Sequence, residues 1–446
     1  MQNRRKRSAQ RSKRPAARRV GKAKEHSTVD LYLHGLAGVI GLGILVIPFF
    51  VALVYGGGFS MYLVIGAGFI ALLLAMLIYD ISLTHSHDPY NFLKATSGKE
   101  YSFIFGFLLL VSFIITATAA GIASVGELSL FFGVGTYTSI AAIDVAFLII
   151  WILFFYNKVR RSLNFAGALK IFFILLLIIV GAIATFRSGA IGSISMQSSV
   201  LPYTPPVFFF GLLLLLWMYG GFEGASIVYK GEDRTKVAKA IIYIIITSII
   251  LFSVIQVFTY TSVNTSITSI YSALAANLPT ASIFTTNIIS SSMGAITEDI
   301  LVALSIVVIL SAAFAVVNAS NRTLDDMSND GLMPKFLAKD ENLKLLVTAA
   351  VPMVLITIFS SAVISTSVFD YIAIIIISAL AFAAAFAFFA AGYAAHYLRQ
   401  KKYSRMLFGI FTAILMILLI VFSPVAFLIG LAIILLVAVI GYALIK

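Results

Sequence analysis

The chain has 446 residues, of which 61% are hydrophobic and only 11% are charged, and its net charge is +13. Soluble proteins carry about 25% charged residues, so this composition excludes an ordinary water-soluble protein and makes lipid the expected solvent for most of the chain. The sequence contains no cysteine, which excludes a disulfide framework, a thiolate metal site and a cysteine nucleophile.

A basic tail precedes the first apolar segment. Eleven Lys or Arg residues lie between Arg4 and Lys24 and supply most of the net charge. We expect residues 1–28 to stay cytoplasmic and to contact anionic lipid headgroups. The tail is too short to fold into a basic surface, so nucleic acid is not an expected partner. The first apolar run continues to about Tyr55, and we expect it to be retained as a span.

Twelve apolar stretches of about 20 residues follow, separated by turn residues or charges, and they predict an all-α polytopic membrane protein with twelve transmembrane helices. They lie approximately at residues 30–55, 60–83, 102–127, 138–156, 162–186, 206–229, 237–262, 298–321, 345–363, 368–397, 405–423 and 425–445.

The loop charges predict the orientation of the chain. If the amino terminus is cytoplasmic, nearly all Lys and Arg residues outside the spans fall on the cytoplasmic side, and Arg187 is the one that falls outside. Positive charge in short loops favours the cytoplasmic side. We therefore expect a multi-pass protein of the plasma membrane with both termini in the cytoplasm.

Two glycine clusters predict interrupted helices. They are Gly35, Gly38, Gly41 and Gly43 before Pro48 in the first span, and Gly220, Gly221 and Gly224 around Glu223 in the sixth. Close helix packing is the alternative explanation. The two spans hold matched positions in two five-helix halves, and an odd number of helices per half gives the halves opposite topology. This arrangement predicts an inverted repeat with a substrate site at the paired breaks.

Three segments resemble the amino acid, polyamine and organocation (APC) transporter superfamily. Val39 to Ile44 before Pro48, Trp217 to Ser226, and Ala319 to Lys339 are similar to its "IGxGIF...P", "WxYGGFESAS" and "ASR...RDGLLPKFLAK" segments, in the same order. The resemblance implies a leucine-transporter-like fold: a first five-helix repeat in residues 29–200, an inverted second repeat in residues 201–400, and two additional helices in residues 401–446.

The resemblance also implies a set of residues that bind the backbone of an amino acid, with Phe222 or Trp217 shielding it. The set comprises Ile40, Gly41, Leu42 and Gly43 of the first span and Trp217, Tyr219, Gly220, Gly221 and Phe222 of the sixth. The chain departs from the superfamily at Leu42, where Ser or Ala is common, so a hydroxyl contact to the substrate carboxylate is missing.

Lys170 is the principal candidate for ion coupling. It lies nine residues beyond Arg161, about 14 Å into a hydrocarbon core of about 30 Å. It resembles the span-five lysine of proton-coupled members, whose amine replaces a sodium ion. We predict that the amine alternates between charged and neutral states and bonds carbonyls near Gly38 and the Ser311 hydroxyl. An ion pair with another helix, or a buried neutral lysine, is the alternative.

Glu223 has two possible roles beside the second break: it relays protons, or it ties the helix halves together through free N–H groups. The segment from His85 to Asp88 offers metal ligands without further clustered carboxylates, so we expect no metal and no other cofactor.

The favoured function is a secondary active transporter of amino acids or related organic amines, with proton symport favoured over sodium. An uncoupled facilitator, an exchanger, a channel and a transporter-like sensor are the alternatives. An enzyme is disfavoured, because the sequence lacks H-E-x-x-H, G-x-S-x-G and Walker-type motifs.

Overall fold

The computed structural model describes residues 27–55, 57–85, 88–155, 159–188, 204–228, 233–264, 295–334, 337, 340–366 and 368–445. The basic tail lies outside these ranges. The regular elements are α1 (Thr28–Val39), α2 (Leu42–Tyr55), α3 (Gly57–His85), α4 (Pro89–Ser97), α5 (Lys99–Phe131), α6 (Thr136–Phe155), α7 (Val159–Ser188), α8 (Pro205–Met218), α9 (Glu223–Val228), α10 (Arg234–Asn264), α11 (Ala295–Asn329), α12 (Glu341–Thr366), α13 (Val368–Arg399), α14 (Tyr403–Val421) and α15 (Val425–Ile445).

The described helices confirm a polytopic all-α membrane protein. Nine of them are long and apolar enough to cross a membrane, and α1 and α2 together form a further candidate span that bends by 48°. Two shorter apolar helices lie at α6 and α8. Each of the twelve predicted stretches falls on one described helix, except that the first falls on α1 and α2 and the sixth on α8 and α9.

Local interactions explain where the first span begins and breaks. The Ser27 hydroxyl accepts from the Asp30 N–H at 3.1 Å, and the Asp30 carboxylate accepts from the Ser27 N–H at 3.2 Å. This capping box satisfies free donors at the start of α1. At the other end, Ile40 adopts an extended conformation with φ −78° and ψ 105°. The helical hydrogen bonding therefore stops, and the chain restarts as a helix at Leu42.

The second interruption is a tight turn between α8 and α9. The Tyr219 N–H donates to the Leu216 carbonyl and the Gly220 N–H to the Trp217 carbonyl, both at 3.0 Å. Gly221 then has φ +106°, a conformation that only glycine adopts readily. The glycine cluster for which the sequence predicted an interrupted helix therefore does interrupt the helix at this point.

The helices that carry the two breaks are enclosed by a bundle. α5 packs along α11 and α13, α3 packs along α10, and α1 lies against α7 and α10. α15 lies at the periphery, and its exposed side chains, such as Ile429 and Leu436, are large and apolar. An exposed apolar face of this kind fits a lipid solvent.

Candidate functional site

A cavity lies where the two interruptions meet. Its described lining comprises Gly38, Val39, Gly41, Leu42 and Gly43 at the first break; Ser112, Phe113, Thr116 and Ala120 of α5; Trp217, Met218, Gly220, Gly221 and Glu223 at the second break; Ala312, Ala313 and Val316 of α11; and Phe382 of α13. The free volume is about 40 Å³, which holds about three water molecules. The cavity is therefore nearly closed in this conformation.

Six of the nine predicted substrate-binding residues line this cavity, and the other three, Ile40, Tyr219 and Phe222, are not among its described lining residues. Ile40 is fully buried. The Tyr219 hydroxyl donates to the Val64 carbonyl at 3.0 Å, which turns the phenol toward α3. Phe222 stacks on Phe386 with 6.2 Å between the ring centroids. These three side chains are therefore buried in the surrounding bundle.

The glycines of the first break allow the two broken segments to touch. A Cβ atom on Gly43 would lie 2.8 Å from the Met218 Cα, and one on Gly38 would lie 2.8 Å from the Gly221 carbonyl oxygen. A Cβ on Gly41 would overlap the Ala312 side chain. Close packing and an interrupted helix, which the sequence offered as alternatives, occur here together.

The first break presents backbone donors to the cavity. Because α2 begins at Leu42, its first N–H groups lack acceptors within the helix. They also form the positive end of the helix dipole, and a helix N-terminus of this kind favours an anionic group. Gly41 and Gly43, which line the cavity, leave those donors uncovered by side chains.

Glu223 ties the second break together. Its two carboxylate oxygens accept from the Gly221 N–H at 3.1 and 3.0 Å, and its side chain is almost fully buried. The Ser226 hydroxyl donates to the Glu223 carbonyl at 2.7 Å. In this conformation Glu223 makes the bracing interaction that the sequence analysis offered as an alternative to proton relay.

Lys170 reaches the carbonyl end of α1. Its amine is fully buried and donates to the Ala37 carbonyl at 2.5 Å, one residue before the predicted Gly38. Carbonyls at the end of a helix lack intrahelical partners and carry partial negative charge. Gly167, one turn earlier on α7, lies so close to the Leu33 carbonyl that a Cβ would overlap it. The glycine therefore lets α7 approach α1.

Among the described residues, Lys170 contacts neither the predicted partner Ser311 nor the acidic residue that the alternative interpretation requires. The Ser311 hydroxyl donates to the Val308 carbonyl of its own helix at 2.8 Å and does not reach the lysine. The described lysine and arginine ion pairs involve Lys94, Lys344 and Arg405. Within these ranges the Lys170 amine thus acts on backbone and not on a carboxylate.

A polar network at the cavity wall was missed by the sequence analysis. The Trp217 indole N–H donates to the Ser378 hydroxyl at 2.9 Å and to the Thr116 hydroxyl at 3.2 Å. Ser378 in turn donates to the Ser112 carbonyl at 3.0 Å. The network links α5, α8 and α13 and holds the tryptophan predicted to shield the substrate. The spacing of Ser112 and Thr116, one turn apart in an apolar span, was the available clue.

The segment from Ala319 to Lys339, which resembles the superfamily, connects the end of α11 to α4 outside the spans. The Tyr90 hydroxyl donates to the Asp330 carboxylate at 2.8 Å, and the Lys94 amine forms an ion pair with the same carboxylate. Burial, together with the neighbouring Asp330, raises the pKa of Tyr90. The phenol therefore stays protonated and remains a hydrogen-bond donor.

Comparison with protein families identifies the kind of protein. The sequence model described as "Amino acid permease" matches residues 27–442. No curated protein sequence matches the chain. Among solved structures, the fold is similar to the crystal structure of a manganese transporter from Eremococcus coleocola in complex with an aromatic bis-isothiourea substituted compound. The TM-score is 0.58 over 94% of this chain and 95% of that chain, at 14% identity, so the likeness concerns the fold alone.

Proposed function

Because the chain belongs to the amino acid permease family and is a multi-pass membrane transporter, we propose that it is a secondary active transporter of amino acids or related organic amines. The observation that carries this proposal is the cavity at the meeting point of two interrupted helices. Paired breaks of this kind form substrate sites near the middle of the membrane in transporters with inverted repeats.

The chemistry of the cavity favours a substrate with a carboxylate and an apolar part. The N-terminus of α2, where the positive end of the helix dipole faces the cavity at Leu42 and Gly43, suits the carboxylate, and Leu42, Phe113 and Phe382 supply the apolar part of the wall. Glu223 is the one carboxylate among the described lining residues, and it already accepts from Gly221. An organic substrate is thus a better match than a divalent cation, which prefers several oxygen ligands.

The size of the cavity implies a conformational cycle. A free volume of about 40 Å³ leaves little room for a large amino acid side chain, so binding of such a substrate requires the wall to open. We propose alternating access, in which the two breaks stay in contact while the surrounding bundle moves around them. The wall helices α5, α11 and α13 are the elements that would have to part.

The proposed topology is twelve spans with both termini in the cytoplasm of a plasma membrane protein: residues 29–200 and 201–400 form inverted repeats, and residues 401–446 form two additional helices. The basic loops support this orientation. Because the chain has no cysteine, a single cysteine substitution can show on which side of the membrane a residue lies. Tyr137→Cys should react with a membrane-impermeant maleimide on intact cells, whereas Lys402→Cys should react only after permeabilisation. The reverse pattern would invert the topology.

We propose a proton and not sodium as the coupling ion, with the Lys170 amine as its carrier. The amine sits where the carbonyls of α1 end, so its charge stabilises the broken helix. Loss of the proton weakens that interaction and shifts the balance between conformations, which couples proton binding to substrate binding.

A direct test combines binding with uptake. We expect one class of ligand, in a panel of amino acids, polyamines and Mn²⁺, to raise the unfolding temperature of the purified chain. A ligand at 100 times its dissociation constant adds about 2.7 kcal/mol of stability. The same ligand should accumulate in proteoliposomes under an imposed pH gradient without sodium. Binding without uptake would indicate a sensor, and uptake without accumulation would indicate a facilitator.

The substitution Gly43→Val tests the proposed location of the substrate site. The added side chain would collide with the Met218 backbone, so substrate binding should be lost while the protein still inserts. Gly430→Val is the matched control, because nothing lies within 4 Å of a Cβ at that position on α15. Unchanged affinity in Gly43→Val would move the substrate site elsewhere.

A further inference from the structure

A second buried carboxyl group, near the end of α5, has no role in the site described above. Glu127 is fully buried, and neither of its carboxylate oxygens has a hydrogen-bond partner among the described residues. Glu223, by contrast, accepts through both oxygens. An ionised carboxylate without partners in an apolar interior is strongly unfavourable. In this conformation burial without a partner therefore favours the neutral, protonated form of the Glu127 side chain.

The position of Glu127 relates it to the cavity. Thr116 and Ala120 of α5 line the cavity, and Glu127 follows Ala120 by seven residues on the same helix. Residues separated by four and seven positions share a helix face, and seven residues advance about 10 Å along the axis. Glu127 therefore continues the cavity-lining stripe toward the C-terminal end of α5.

Tyr371 of α13 is the titratable neighbour of this carboxyl group. The buried phenol lies within electrostatic range of Glu127 and donates to the Ala119 carbonyl at 3.2 Å. A side chain on a helix leans over the turn that precedes its own Cα, so the Glu127 side chain extends along α5 toward the part that Tyr371 contacts. A hydroxyl donor is thus close to a carboxyl group that lacks one.

The other helices packed near this part of α5 offer no cation among the described residues. On α6, Asp144 accepts from the Thr357 hydroxyl at 3.1 Å. At the start of α11, Asp299 is exposed. On α2, Tyr55 is buried and packs against Phe59. Acids and phenols in these surroundings favour the neutral form of Glu127, and none of these groups would compensate its charge.

We propose that Glu127 is a proton-binding site between the cavity and the side of the membrane at which α5 ends, the outer side in the proposed topology. In the closed conformation, the packing of α5 against α11 and α13 keeps the acid dry and protonated. When these helices part, water reaches the stripe, the carboxyl O–H ionises and the proton passes to that water. The Tyr371 hydroxyl then becomes a donor for the carboxylate.

The protonation can be tested without any substrate, so this test does not depend on the proposed transport function. Infrared spectra of the full chain in proteoliposomes at neutral pH should contain a carboxylic-acid C=O band that is lost in Glu127→Gln. Glu100→Gln is the matched control, since that carboxylate is exposed and accepts from the Tyr442 hydroxyl at 3.1 Å, and the band should persist there. A spectrum unchanged by Glu127→Gln would overturn the proposal.

A second measurement uses the unaltered chain and does not rely on a variant that folds. Hydrophobic carbodiimides add to protonated carboxyl groups in apolar surroundings. Mass spectrometry of the treated protein should place the adduct on Glu127 at neutral pH, and labelling should fall as the pH rises. Absence of the adduct from the peptide that contains Glu127 would refute a protonated, buried acid.

The role of Glu127 in transport rests on the proposed function, and a separate measurement tests it. Exchange of labelled substrate across proteoliposomes by the unaltered chain should depend on the pH of the outer solution. Glu127→Gln should lose that dependence, and Glu100→Gln should keep it. A pH profile of Glu127→Gln identical to that of the unaltered chain would remove Glu127 from the cycle. If the unaltered chain exchanges no substrate, the transport proposal fails, and the infrared result alone decides whether Glu127 holds a proton.

Discussion

The two interruptions that meet at the cavity are braced in opposite ways. The carbonyl end of the first break, at Ala37, accepts from Lys170, which lies 133 residues away on α7. The N–H end of the second break, at Gly221, donates to Glu223, two residues along the same segment. A lysine amine from another helix donates to one break, and a carboxyl group from its own segment accepts from the other.

Movement of the helices can therefore release the interaction at the first break but not the interaction at the second. Glu223 travels with the backbone that it holds, so a rearrangement of the bundle leaves its hydrogen bonds in place. Lys170 stays in contact with Ala37 only while α7 lies against α1, and a neutral amine would donate a weaker hydrogen bond than the charged one. We therefore expect changes at the first brace to alter coupling, and changes at the second to alter stability.

Gly221→Ala should have the largest effect, because it damages the point at which the two breaks touch. The residue has φ +106°, and an added Cβ would lie 2.6 Å from the Gly38 carbonyl carbon. The unfavourable conformation alone costs about 1–3 kcal/mol, and the overlap adds to it. Thermal unfolding in detergent should show a clear fall in midpoint together with loss of substrate binding.

The control for this substitution is Gly441→Ala on α15, where a Cβ meets nothing within 4 Å. Its unfolding midpoint should match that of the unaltered chain. An equal midpoint in Gly221→Ala would mean that the contact between the breaks does not hold the site together.

Lys170→Met should have the next largest effect, and that effect should be on coupling. Methionine keeps an apolar stem of similar length and removes the charge. A pH gradient of one unit can drive up to about tenfold accumulation per coupled proton. We expect the variant to lose this accumulation, measured as uptake into proteoliposomes without sodium. Lys239→Met, at an exposed position of α10, should accumulate substrate normally.

Two results would contradict the role of the first brace. One is a Lys170→Met variant that still concentrates substrate along the proton gradient. The other is an unaltered chain that needs sodium for accumulation. Either result would leave Lys170 as a structural lysine that satisfies the end of α1.

Glu223→Gln should have a smaller effect, confined mainly to stability. The amide retains an oxygen that can accept from the Gly221 N–H, but the hydrogen bond is no longer assisted by charge. The expected loss is about 1–2 kcal/mol, measured by chemical or thermal unfolding. Accumulation under a pH gradient should persist. A variant that unfolds normally but no longer accumulates substrate would instead favour the proton-relay role.

Ser378→Ala should have the smallest effect of the four. It removes one acceptor of the Trp217 indole, while Thr116 remains as a second acceptor at 3.2 Å. The expected cost is about 1 kcal/mol or less, seen as a modest loss of affinity. A double-mutant cycle with Trp217→Phe isolates the interaction, and zero coupling energy would mean that the network does not position the tryptophan.

Much of the architecture follows from local features of the chain. The apolar runs predicted helices at all twelve positions, and the described helices fall on each of them. The glycine clusters predicted both interruptions, because Gly221 has a conformation that favours glycine and Gly43 lies against backbone. The family resemblance, drawn from three short segments, is confirmed by the match over residues 27–442. The inverted repeat and the twelve-span topology remain predictions.

The contacts of individual side chains depend on the arrangement of helices around them. Its position nine residues beyond Arg161 placed Lys170 at membrane depth, but only the packing of α7 on α1 decided that its acceptor is Ala37. Ser311 bonds to its own helix, as a hydroxyl in a helix often does, and so does not reach the lysine. The burial of Glu127 likewise depends on the helices that cover α5. Apolar runs and glycines act on the backbone nearby, whereas the partner of a polar group is supplied by a helix distant in sequence.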